Sequence, residues 1–400
     1  MVRAGRVVFA LAGTQALFQT ASVLIMTIGG LAGQLLAPEP SLATLPIATV
    51  ALGTAIATIP ASILMARVGR RPGFIVGTMF GAAGGAAAAA GIVAASFPLL
   101  CLGTLLVGLY QGFAQFYRFA AAEAVPAQYR SRALSMVLAG GIFAAFAGPH
   151  LGAVTRDLLF GSAYAGSFAA VVALSLVAAA ILAATPLPPP PAADLIAEPA
   201  RPLGEIARQP RFLAAIVGAA VGYAVMVLVM TATPLSMLAH DHSVPDAAFV
   251  IQWHVLGMFA PSFFTGWLVS RFGVVTMMLA GVALLLGEVA IVASGSDMLR
   301  FASALVLLGI GWNFLYVGGS AMLLETYRPS ERGKVQALND FVIVGATAAA
   351  AFSAGALVEA FGWYGLNLAV APFLVVAGAV IAVAGARATA TPGPGLPSAA

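Results

Sequence analysis

Charge, cysteine and histidine are scarce in this chain. Charged residues make up 8% of its 400 positions. A water-soluble domain carries about a quarter, so a soluble enzyme is excluded. The single cysteine, Cys101, excludes a disulfide framework and any CxxC metal site. No phosphate loop, no nucleophile–base constellation and no hydrolytic metal triad is present, which removes ATP-driven pumping and membrane-bound hydrolysis. Apolar residues are abundant instead: 61% of the chain, spread over its whole length, with a mean hydropathy of +1.02. This is the composition of a polytopic helical membrane protein.

Apolar runs of helix-spanning length fall at 8–35, 43–65, 73–95, 98–123, 134–155, 162–185, 212–238, 248–269, 274–294, 299–324, 335–357 and 364–386. They predict an all-α membrane protein with twelve transmembrane helices. Arg3 and Arg6 before the first run imitate a secretion signal, but that run is too long for one. With both termini cytoplasmic, fifteen of the 18 Lys and Arg residues lie on the cytoplasmic side. Arg156 and Arg300 lie opposite, and Arg118 lies inside a span. This asymmetry sets the topology and accounts for the net charge of +4 without nucleic acid. The one long polar stretch, 186–211, contains LPPPP and six charged residues, and reads as a cytoplasmic linker. It separates a six-helix bundle over 1–185 from another over 212–388, and residues 389–400 read as a disordered cytoplasmic tail.

The two bundles repeat each other. Ser62–Arg71 (SILMARVGRR) aligns with Gly266–Gly273 (GWLVSRFG) at an offset of 204 residues. Glu123, Arg130 and Arg132 align with Glu325, Arg332 and Lys334 at an offset of 202. Six helices repeated once, with basic loops after the second and fourth of each set, signal a transporter with pseudo-symmetric halves. The loop at Ser62–Arg71 resembles the G-x-x-x-D-R-x-G-R-[KR] hallmark of the major facilitator superfamily. It departs from it at the acidic position, which is Ala66 here and Ser270 in the second copy. Gly108 also stands near Tyr110-Gln111-Gly112 where the family usually has arginine. The resemblance implies a carboxylate latch at the cytoplasmic gate, a part that Glu123 with Arg67, and Glu325 with Arg271, are expected to take. Charges that merely face headgroups are the simpler alternative.

Ionisable residues inside apolar runs are costly and therefore informative. Arg118 and Asp340 lie roughly 9 Å inside the cytoplasmic end at 1.5 Å per residue. They come from different bundles, so an ion pair between them would close the inner gate. Glu288 is expected to be structural. Two further motifs carry sulfur and imidazole: Met226 and Met230 form MxxxM on the seventh helix, and His254 and Met258 form HxxxM on the eighth. Spacing of i,i+4 puts both members of each pair on one face. Thioether and imidazole ligands suit copper. A metal path is expected to run from His240 and His242 through Met237, with Met26 and His150 contributed by the first bundle.

This pairing of motifs resembles the CcoA-like copper importers (CalT branch) of the same superfamily. The resemblance implies copper as the transported substrate, with no cofactor. It implies transport by a monomer across the bacterial inner membrane, passage to cytoplasmic copper chaperones, and supply of cbb3-type cytochrome oxidase assembly. Members of the wider branch without these motifs are associated with other substrates, including riboflavin. Two alternatives stay open. Gly148-Pro149-His150-Leu151-Gly152 resembles the antiporter motif of proton-coupled drug exporters. Phe113, Phe116, Tyr117, Trp312 and Tyr316 would stack on a flavin-like ring, although packing between helices explains them more simply.

Overall fold

The computed structural model describes residues 2–39, 42, 45–159, 161–187 and 200–390. Most of the expected linker (188–199) and of the expected tail (391–400) lies outside these residues. Among the described residues there are fifteen α-helices and no strand. They are α1 (Val2–Leu36), α2 (Leu45–Val68), α3 (Arg70–Val93), α4 (Phe97–Ala114), α5 (Tyr117–Glu123), α6 (Arg130–Ala139), α7 (Gly141–Thr155), α8 (Ala165–Ala184), α9 (Leu203–Ala207), α10 (Pro210–Ala239), α11 (Val244–Phe259), α12 (Ser262–Phe272), α13 (Val274–Ala293), α14 (Met298–Leu323) and α15 (Arg332–Ala390).

Ten helical stretches among the described residues are long and apolar enough to cross a membrane. Two features separate this number from the twelve apolar runs. The run at 248–269 is divided at Ala260–Pro261 into α11 and α12. The last two runs lie in the single helix α15, which is interrupted at Gly362 (φ 66°). The helix also continues to Ala390, two residues into the segment expected to be a disordered tail.

The break between α11 and α12 has a local cause. Pro261 has no N–H to continue the ladder, and Asn313 of α14 supplies replacement bonds. Its amide nitrogen donates to Met258 O at 2.7 Å and to Ser262 Oγ at 2.6 Å, and its carbonyl accepts from Thr265 Oγ1 at 2.7 Å. At the other end of α11, the Ser243 hydroxyl and backbone N–H donate to Asp246, holding that carboxyl below the usual carboxylate range.

The repeat has a backbone signature. Gly69 before α3 and Gly273 before α13 are 204 residues apart and share φ values of 93° and 87°. These are conformations that side chains strain to adopt, so each glycine lets one helix end and the next start at once.

Within the first half, α3 packs on α4 and α8, α2 on α4, and α1 on α7; within the second, α10 packs on α15 and α14, and α14 on α13 and α11. The halves meet most extensively along two helix pairs, α2 with α15 and α6 with α12, and α6 also touches α14 and α7 touches α11. Ser62 Oγ of α2 donates to Gly333 O of α15 at 2.6 Å. Ser135 Oγ of α6 donates to Ser262 O and accepts from Gly266 N, the latter at 3.1 Å. Under the repeat offsets Ser62 corresponds to Gly266 and Gly333 to Ser131, so the two seams are copies with serine and glycine exchanged. Both lie at the arginine-rich end of the molecule, referred to below as the basic end.

Close approach is needed where α11 crosses α14. A Cβ on Gly309 would lie 2.6 Å from His254 O and 2.8 Å from Met258 N, both fixed backbone atoms. Overpacking of this kind costs about 1–3 kcal/mol. Gly309→Ala is therefore expected to lower the thermal unfolding midpoint of the detergent-solubilised protein. An unchanged midpoint would show that the two helices are free to move apart.

Candidate functional site

Arg118 of α5 and Asp340 of α15 meet at the junction of the halves. Arg118 Nη2 donates to Asp340 Oδ1 at 2.5 Å, and the two side chains are 2% and 3% exposed. Arg118 Nε also donates to Ser320 Oγ of α14 at 3.2 Å, and Nη1 to Gln115 O at 2.5 Å. Its guanidinium stacks 4.3 Å from the Phe119 ring centroid and 4.7 Å from that of Tyr316. A buried charge is tolerable only when paired and hydrogen-bonded, and this one is both. Asn339 donates to Asp340 Oδ1 at 2.9 Å.

An aromatic group continues from this pair. Tyr316 and Trp312 stack with centroids 5.1 Å apart and planes at 16°. Tyr223 of α10 stands edge-on to both at 5.2 Å, and Phe259 stands edge-on to Trp312 at 5.8 Å. Tyr316 OH donates to Gln115 Oε1 at 3.3 Å, linking this group back to the first half. Tyr223 and Gln115 are its half-buried members.

Closer to the basic end, Glu123 gathers ligands from both halves. It accepts from Arg70 Nη2 at 2.7 Å, from Gln336 Nε2 at 3.1 Å and from Arg332 Nη1 at 3.4 Å. This corrects the expected partner. Arg67 sits exposed on the last turn of α2, whereas Arg70, just past the turn at Gly69, points inward. The second expected latch is corrected in the same way: Arg271 is exposed at the end of α12, and Glu325 pairs with Arg211 at the start of α10. The repeat does not supply an inward arginine here, because Val274 stands where Arg70 stands in the first copy. Further out, Arg201 binds Glu331 through both its side chain and its backbone N–H, at 2.7–2.8 Å.

The sulfur and imidazole groups divide into a buried set and an exposed set. His254 is fully buried, and its Nδ1 lies 2.7 Å from Leu305 O of α14. Met258 and Met226 are 7% and 2% exposed within the apolar core, and Met230 packs against that core. The HxxxM face of α11 thus lies on α14, with His254 Nε2 buried and without a hydrogen-bond partner among the described residues. Met237 is fully buried. His240 Nδ1 lies 2.7 Å from Ser236 O and His242 Nε2 lies 2.8 Å from Ser296 O, with both rings edge-on to Phe301. Met26 is 57% exposed and His150 is exposed. Among the described residues no three His, Cys, Asp or Glu side chains are grouped to hold a metal ion. Of the ring-stacking candidates, Trp312 and Tyr316 belong to the aromatic group above. Phe113, Phe116 and Tyr117 are packed in the core, with Arg70 stacking 5.6 Å from Phe116. Glu288 is fully buried, with neither carboxylate oxygen hydrogen-bonded among the described residues.

Sequence reasoning missed Tyr223, Gln115, Gln336 and Ser320. For Ser320 the signal was available: it is Arg118 shifted by the repeat offset of 202. The others carry no motif.

Apolar helices in two related halves, joined through a buried ion pair and flanked by an aromatic group, have the layout of a membrane carrier. The chain belongs to the Major Facilitator Superfamily, whose sequence model matches residues 8–253 and 215–399. It is therefore of a transporter family and not an enzyme. The riboflavin transporter RfnT of Brucella anthropi is 44% identical over 361 residues, covering 90% of this chain and 91% of that protein. The uncharacterized MFS-type transporter YdeG of Bacillus subtilis is 31% identical, covering 86% of this chain and 83% of that one. Two solved structures share the fold. FucP in its outward conformation has a TM-score of 0.79 at 17% identity, over 94% of this chain and 98% of that one. A bacterial homologue of the iron transporter ferroportin has 0.71 at 15%, over 95% and 100%. The copper-importer expectation is overturned by the relative at 44% identity, which is named for riboflavin. With it fall copper as substrate and copper chaperones as partners.

The closure of the basic end can be trapped. A Cβ on Gly333 would lie 3.4 Å from Ala66 Cβ, close to the roughly 3.5–4.5 Å spanned by a disulfide. Ala66→Cys with Gly333→Cys, in a Cys101→Ser background, is expected to form a crosslinked peptide detectable by mass spectrometry after mild oxidation. Its absence would contradict contact between α2 and α15.

Proposed function

We propose that this protein imports a flavin-like solute, with riboflavin itself the leading substrate, across the bacterial inner membrane. The observation that carries the reading is the 44% identity to RfnT over 90% of the chain. The aromatic group of Tyr223, Trp312 and Tyr316 supports it, since a flat ring system is held by stacking and edge-on aromatic contacts. The polar groups beside it suit a ring with hydrogen-bonding edges.

The transport cycle is alternating access between two six-helix bundles, 1–185 and 212–388, joined by the segment 186–211. Twelve crossings result when α11 and α12 together make one and α15 makes two, divided at Gly362. An even number places both termini on one side, and the arginine excess assigns that side to the cytoplasm. The inter-bundle bonds named above lie at the basic end, which supports a conformer closed to the cytoplasm. Arg118 and Asp340 act as the inner gate, with Glu123, Arg70 and Arg332 as an outer ring of the same gate.

A riboflavin auxotroph lacking its own importer, expressing this chain, tests the reading. It is expected to grow at low external riboflavin and to accumulate labelled riboflavin, while copper content stays at the empty-vector level. Labelled riboflavin uptake no greater than that of the empty vector would contradict it.

A further inference from the structure

The turn that joins α14 to α15 is gripped from two sides. A single 3-10 turn, Pro329–Glu331, leads directly into α15 at Arg332. One grip comes from the segment that joins the halves. The Arg201 guanidinium donates to both oxygens of Glu331, at 2.8 and 2.7 Å, and the Arg201 backbone N–H donates to the same carboxylate at 2.8 Å. Arg201 Nη2 also donates to Thr326 O at 3.1 Å, an oxygen that accepts from Gln209 Nε2 at 3.1 Å as well. Lys334 Nζ donates back to Arg201 O. Between Arg201 and Gln209 runs α9, whose Ile206 is fully buried. Glu331 is itself fully buried, and it also accepts from the Arg328 backbone N–H at 2.9 Å.

The other grip comes from the first half. Gly333 O accepts from Ser62, and Arg332 donates to Glu123. Gln336 donates to Glu123 and accepts from Arg70 Nη2 at 2.6 Å. Residues 331 and 334 therefore bind the joining segment, while 332, 333 and 336 bind the opposite half.

The internal repeat provides a comparison. At the offset of 202, Glu331 corresponds to Tyr129 and Arg332 to Arg130. The turn of the first copy, Ala127–Tyr129, thus has no carboxylate for a strap to hold, and Arg132 lies over the Tyr129 ring at 6.0 Å instead. Arg130 is exposed there. The turn with the strap is the one whose arginine reaches across to the other half.

We propose that Arg201 is a positioning residue of the gate at the basic end: by holding Glu331 it fixes the α14–α15 turn where Arg332 and Gln336 reach Glu123. This rests on the gate reading above and extends the gate into the segment that joins the halves. A bidentate arginine–carboxylate pair fixes geometry as well as charge. Shortening Arg201 removes two of the three donors it gives to Glu331 and frees the turn.

The test uses the full-length Cys101→Ser protein in lipid nanodiscs, with spin labels at Arg67→Cys and Arg271→Cys. Both positions are exposed at helix ends, one in each half. Pulsed electron paramagnetic resonance reads the distance between them and hence the ratio of open to closed molecules at the basic end. Arg201→Ala is expected to raise that ratio at least about fivefold. A loss of stability alone would leave the distances in folded protein unchanged. Arg201→Gln, which keeps the length but not the fork, serves if Arg201→Ala does not fold. Arg201→Ala with Glu331→Gln is expected to stay as open as Arg201→Ala. A return to the parent ratio would show that a stranded charge, not a lost position, caused the opening, and would overturn the proposal. Glu123→Ala tests the gate reading separately. Opening by Glu123→Ala but not by Arg201→Ala would overturn the role of the strap and leave the gate standing. No opening by either would remove both.

Discussion

A guanidinium and a carboxylate in direct contact, shut away from water between two halves of an apolar bundle, constrain everything around them. Neither ion is tolerable there alone. Desolvation of each costs several kcal/mol, and only the partner and further hydrogen bonds offset it. Arg118 therefore recruits Ser320 and Gln115 and the faces of Phe119 and Tyr316, while Asp340 recruits Asn339. The donors and acceptors come from α5 and the turn before it, α14 and α15, so the pair ties the halves together at the place where the aromatic group begins. Separating the halves requires that the two charges find replacements for one another. This is a physical reason for a polar ligand and an opening movement to be coupled.

Around that pair the basic end is closed by two kinds of contact. One is close approach of small residues, with Ser62 against Gly333 and Ser135 against Ser262 and Gly266. The other is charge: Glu123 of the first half binds Arg70 of its own half and Gln336 and Arg332 of the second, whereas Arg211–Glu325 and Arg201–Glu331 lie within the second half and the segment leading into it. The small-residue contacts obey the repeat and the charged ones do not. Glu123 is met by an inward arginine that the second copy replaces with Val274, so Glu325 turns instead to Arg211. An asymmetry of this type gives the two seams different strengths.

Much of the architecture was legible in the sequence because membrane constraints are severe. Apolar runs located the helices, and the repeat located the Gly69 and Gly273 turns. The scarcity of charge made Arg118 and Asp340 conspicuous, and the structure brings them together. Legibility ended where direction matters. The i,i+4 spacing of His254 and Met258 fixes that they share a face but not which neighbour that face meets, and it meets α14. Arg67 and Arg70 are three residues apart, yet the left-handed turn at Gly69 separates an outward side chain from an inward one. Breaks within runs, at Pro261 and Gly362, change the count of uninterrupted helices without altering the hydrophobic pattern. Tyr223 carries no motif at all, and only tertiary packing puts it beside Trp312 and Tyr316.

The account turns on the energetic coupling of the two buried charges. A double-mutant cycle of Arg118→Ala, Asp340→Ala and the combined variant, read as unfolding free energy of the purified protein, measures it directly. Each single change is predicted to destabilise by about 3–5 kcal/mol, because it strands the other charge, and the combined change by much less than the sum. Strictly additive losses would mean that the two residues are held independently, and the pair would not be what joins the halves.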